Sequence, residues 1–146
     1  MTGAIATFVT ITVMTRRVLL FVVCVVATTA AALAHHSIAG AYDTGKQVTI
    51  DGVVSQFQFV NPHPFLIIDV KEGNTVLPWR LEMDNRSELS NVGMTAQTFK
   101  AGDRVLVVGS PGRSQSQSLY IRKLDRPIDG FQYEQVGGSP RIRRGR

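Results

Sequence analysis

Residues 47–59 read Gln47-Val-Thr-Ile-Asp-Gly-Val-Val-Ser-Gln-Phe-Gln-Phe59. Val48 and Ile50 alternate with Thr49 and Asp51, the two-residue period of a strand with one buried face. After Gly52 the apolar phase shifts to Val53, Phe57 and Phe59. A glycine at a phase change predicts a bulge or strong bend in one long strand. Asn61-Pro62-His63-Pro64 then blocks strand and helix alike, because each proline removes a backbone donor.

The segments on the carboxyl side continue the pattern. Phe65 to Val70 is a short apolar run fit for a buried strand, and Lys71-Glu72-Gly73-Asn74 is turn chemistry. Val76 to Met83 alternates, with Val76, Trp79, Leu81 and Met83 as its large apolar members and Pro78 marking an exposed edge. Asn85 to Gly93 carries Leu89 and Val92 at helical spacing, with Gly93 as a stop. Thr95 to Phe99 reads as a further short turn. Lys100-Ala101-Gly102-Asp103 is a tight turn before a strand from Arg104 to Gly109. Residues 110–118 form a polar loop, and Leu119 to Leu124 is the fifth strand. Three strands, a short helix and two strands predict a mainly β fold. The best match is a small five-stranded barrel of the oligonucleotide/oligosaccharide-binding (OB) type, with one short helix between strands 3 and 4. A different small barrel, or a sandwich of similar strand count, is the alternative. The expected limits are an extended arm over 35–46, the barrel over 47–125 and a flexible basic tail over 126–146.

The amino terminus reads as an address. Arg16-Arg17 precede the apolar run Val18 to Ala27, and small residues follow to Ala32-Leu33-Ala34. That order is the one of a cleavable secretory signal peptide over 1–34. The apolar run is about half the roughly 20 residues that span a bilayer, so no transmembrane segment is expected in the mature chain. Met14, directly before Thr15-Arg16-Arg17, would give a signal of ordinary length if translation began there. The expected location is periplasmic or secreted.

Composition then narrows the function. The 146 residues carry a net charge of +5 and one cysteine, Cys24, which falls within the signal. A mature chain starting at His35 therefore has no disulfide framework and no cysteine-based zinc site. Residues 35–140 hold ten basic against eleven acidic residues, so the basicity belongs to the signal and to Arg141-Ile-Arg-Arg-Gly-Arg146. A near-neutral barrel lacks the dense basic face of a nucleic-acid binder, and Phe57, Phe59, Phe65 and Trp79 read as core. There is no Gly-x-Ser-x-Gly elbow, no cysteine nucleophile and no His-Glu-x-x-His, so a non-enzymatic protein is expected.

Several motifs occur together in a recognisable order: His35-His36-Ser37, Tyr42-Asp43, Gly52-Val53-Val54, Asn61-Pro62-His63, Trp79-Arg80-Leu81-Glu82 and Phe99-Lys100-Ala101-Gly102-Asp103-Arg104-Val105. In this order the chain resembles a family of small exported bacterial proteins of unknown function, over about residues 34–125. The resemblance implies export and brings no activity. The chain departs from it at Met83-Asp84-Asn85-Arg86, where a Gly-rich, Pro-containing segment is usual.

The mature chain has three histidines, His35, His36 and His63. Cleavage after Ala34 would give His35 a free amine beside its imidazole, and the imidazole of His63 would complete a T-shaped set of three nitrogens. Planar nitrogen sets favour Cu(II) or Ni(II), which makes copper the expected metal. Cleavage after Ala32 would instead place His35 third in the chain, which also binds Cu(II) in a square plane. Glu82 and Asp43 are candidates to orient an imidazole. The competing reading makes the histidines solvated arm residues and a loop-holding hydrogen bond. A further alternative is a binding module for a small ligand or a protein partner on the barrel face around Trp79, Phe65 and Glu82.

Overall fold

The computed structural model describes residues 37–145. The elements are α1 (Ser37–Ala41), β1 (Val48–Gln58), β2 (Phe65–Glu72), β3 (Thr75–Glu82), α2 (Arg86–Asn91), β4 (Arg104–Pro111), β5 (Ser118–Arg126), β6 (Phe131–Val136) and β7 (Ser139–Arg143). The hydrogen-bonded order is β3-β2-β1-β4-β5-β6-β7. A parallel pairing of β3 with β5 over Arg80–Glu82 closes the first five strands into a barrel. This is the expected mainly β, OB-like arrangement, with α2 between the third and fourth strands.

β1 serves two partners. Val48 to Val53 pairs with β4, and Val53 to Gln58 pairs with β2. Gly52 sits at the changeover because a Cβ there would lie 2.8 Å from the Asp69 carbonyl oxygen. The expected phase change at Gly52 does not occur. Gly52 and Val54 are buried and Val53 is exposed, so the first phase runs on past the glycine. The extra residue is Ser55, where the register against β2 slips between Val54 and Gln56. Beyond that bulge Phe57 and Phe59 turn toward the core and pack against it.

Leu66, Ile68, Leu81, Val107, Leu119 and Leu124 fill the barrel, each with no exposed surface. Leu89 of α2 and Met94 after it join the same cluster, so the helix packs on the core through Leu89 alone. Gly93 ends the helix with φ of 89°. Among the described residues no helix is long and apolar enough to cross a membrane.

Two expectations about the ends need correction. Residues 37–41 are helical, not extended. Residues 126–145 are not a mobile tail: β6 and β7 form a hairpin that extends the sheet from β5. The sign of it was Val136-Gly137-Gly138-Ser139. Both glycines have positive φ, as a two-residue hairpin turn of the tightest kind requires. Phe131 and Tyr133 are buried and Ile142 packs against the core. Arg141 and Arg143 alternate with Ile142 and stay exposed, which gave the segment its tail-like composition.

The base of this hairpin is fixed by Arg126. Its guanidinium donates to the Thr98 carbonyl, to Asp103 Oδ2 at 2.6 Å and to both oxygens of Asp129. It also lies against the rings of Phe99 and Phe131, at 5.3 and 5.1 Å. A planar group with five donors suits this position in a way that an ammonium would not.

Candidate functional site

The Asn61–His63 segment connects β1 to β2, and its Asn61–Pro62 peptide bond is cis. The segment is held to the far end of β3. The Arg86 N–H donates to the Pro62 carbonyl at 3.0 Å, and the Met83 N–H to that of Pro64 at 2.9 Å. His63 is thereby set beside Glu82 and Met83. Its Nδ1 lies 3.1 Å from the Met83 carbonyl oxygen and 3.9 Å from Glu82 Oε1. A carbonyl can only accept, so this contact needs the proton on Nδ1. In the neutral ring Nε2 then carries a free lone pair, the state in which imidazole ligates metals.

Glu82 is a shared partner. Its Oε2 accepts from the Tyr42 hydroxyl at 2.8 Å and faces an Arg80 nitrogen at 3.5 Å. Tyr42 belongs to the arm, which is tied to the barrel next to it. Tyr42 bridges Gly112, the Asp43 N–H donates to Pro111, and the Arg113 N–H donates to Ala41. Gly112 is required there, because a Cβ would fall 1.9 Å from Ser118 Oγ. One carboxyl group therefore connects the arm, β3 and the Asn-Pro-His loop.

The other expected site residues divide. Phe65 lies directly across from Glu82 in the sheet, under the Arg80 guanidinium at 4.1 Å. Trp79 packs one side against the core and lines a cleft between β3 and the β4–β5 loop. Asp43 does not join His63. It pairs with Lys46 and Arg113, and its bond from Lys46 holds its carboxyl below the usual range. His35 and His36 lie outside the described residues, as do residues 1–34, where a signal peptide was expected. Among the described residues no three histidines, cysteines or acids gather into a metal-binding group.

A family model described as a family of unknown function, DUF6152, matches residues 22–120. The chain belongs to the DUF6152 family. No curated protein and no solved structure matches it. The DUF6152 match takes in the arm, the His63 loop and β3, and stops where β5 has just begun.

One cluster that the sequence reading missed spans that limit. Asp84 is buried and accepts three hydrogen bonds: from Tyr120 at 2.5 Å, from Tyr133 at 2.7 Å and from Gln135 at 2.6 Å. Arg122 donates to the Gln135 side-chain oxygen, which orients the amide so that its nitrogen faces Asp84. The only sequence signal was an acid between apolar Met83 and the helix start. Burial, reinforced by Asp84, raises the Tyr133 and Tyr120 hydroxyls well above the ordinary 10.0. Burial and then Glu82 do the same for Tyr42. The fold thus keeps three phenolic protons that an unfolded chain gives up near pH 10. Stability contributed by these groups is complete below about pH 10 and is lost above it, at up to about 1.4 kcal/mol per pH unit for each tyrosine. Urea midpoints near pH 8 and above pH 10 should show a steep fall on the alkaline side; a flat profile would mean these hydroxyls are free to ionise.

Proposed function

We propose that this protein is exported and binds one Cu(II) through His63 Nε2 together with the amine and imidazole of a processed His35, with His36 as an additional donor. The observation that carries the reading is the Nδ1 contact of His63 with the Met83 carbonyl, which puts the proton of the neutral ring on Nδ1 and leaves Nε2 as the ligating nitrogen. Glu82 Oε1, 3.9 Å from Nδ1, favours the same tautomer, with the proton on Nδ1 and Nε2 as the donor. Five residues lie between His36 and Tyr42, and the six steps of chain from one to the other reach at most about 20 Å even when extended. Nitrogen donors of this kind select Cu(II) among the common divalent ions.

Competitive titration of the metal-free mature protein with Cu(II) tests it. One equivalent should bind, and His63→Ala should weaken that binding at least about tenfold, the scale seen when a ligand or its support is lost. Equal affinity in the variant would remove His63 from the site.

A further inference from the structure

The cleft beside Trp79 has a composition that selects a ligand class. It holds about 480 Å³ and lies between the open half of β3 and the β4–β5 loop. β3 pairs with β5 only from Arg80 onward, so Thr75 to Trp79 form a free edge there. The strand side of the cleft presents Ile67, Pro78 and the indole of Trp79. The loop side presents Ser114, Gln115 and Ser116, all exposed and uncharged. Past Arg80 the cleft continues to the Tyr42 hydroxyl and Glu82.

Three ligand classes fit poorly. An extended peptide would add to the free edge through main-chain hydrogen bonds. The Arg80 N–H points to that side, at the Gln117 carbonyl 2.9 Å away, so by strand alternation position 78 does too. Pro78 has no N–H to offer, and this half of the edge is closed to strand addition. An anionic ligand would need a free cation. Arg80, the one cation lining the cleft, is turned to Phe65 and Glu82, and Glu82 itself adds a carboxylate where the cleft continues. A purely aliphatic ligand would leave the hydroxyl and amide wall unsatisfied. A neutral sugar chain meets all the terms. Its C–H face stacks on an indole, and its hydroxyls exchange hydrogen bonds with serine and glutamine side chains.

We infer that the cleft between β3 and the β4–β5 loop binds a neutral oligosaccharide, with Trp79 as its stacking platform and Gln115 and Ser116 as hydrogen-bonding partners. This goes beyond the copper reading and does not depend on it. Trp79 is the single tryptophan of the chain, so its emission reports the site directly. Metal-free mature protein is titrated with cellohexaose, maltohexaose and N-acetylchitohexaose, with oligogalacturonate as the anionic control and calorimetry as the second readout. At least one neutral hexasaccharide should shift the emission saturably. The surface variant Gln115→Ala/Ser116→Ala should bind it about tenfold more weakly, the scale of one or two lost hydrogen bonds. No response to any neutral hexasaccharide, a response to oligogalacturonate alone, or unchanged affinity in the double variant would each overturn the inference. Because no metal is present, none of these outcomes bears on copper.

Discussion

Ending the chain after Arg126 is expected to abolish folding. The truncation removes Phe131 and Tyr133, which are 2% and 0% exposed, and Ile142, which packs beside them. Loss of a buried aromatic ring costs about 3–5 kcal/mol, so two approach the whole stability of an ordinary domain, about 5–15 kcal/mol. Arg126 would also lose Asp129, and Asp84 would lose two of its three donors. Circular dichroism of the truncated protein should show no cooperative melting and no near-ultraviolet signal. A truncated protein that melts cooperatively would reduce the hairpin to an appendage and put the domain end near residue 125.

The second large effect is expected at Asp84. Asp84→Asn keeps the shape and exchanges one accepting oxygen for a donating NH2. On one side that group meets the Tyr120 hydroxyl and the Gln135 amide; on the other it meets Tyr133. A tyrosine can rotate to accept, but its own proton is then stranded in the core, at about 1–3 kcal/mol. Asp84→Ala strands all three donors and leaves a cavity, for a loss of about 3 kcal/mol or more. Urea denaturation near pH 7 measures both, and the expected order of stability is wild type, Asn, Ala. Unchanged midpoints would show that the carboxyl group holds nothing together.

The barrel was legible because its strands read as short alternating or continuous apolar runs between clear turns. Phe65, Arg104 and the helix around Leu89 fall where the hydrophobic period places them. The bulge was not legible at its true position. Ser55 carries no compositional mark, whereas Gly52 does, and that glycine answers to the close approach of the Asp69 carbonyl. The carboxyl-terminal hairpin was hidden because its outward positions hold arginines and its turn is two glycines, the same residue types that make a tail. His63 stood out as the one histidine inside the domain. Its partner did not, since a main-chain oxygen at Met83 belongs to no residue type. Asp84 was masked by the same rule in reverse: acids are read as surface, and its donors lie 36 to 51 residues further along the chain.

Intact mass combined with metal analysis, on protein expressed from the full sequence in a bacterial host and then exposed to one equivalent of Cu(II), tests the copper reading most directly. The expected species begins at His35 and retains one copper ion after removal of loosely held metal. A chain that begins at His35 and retains none would contradict it.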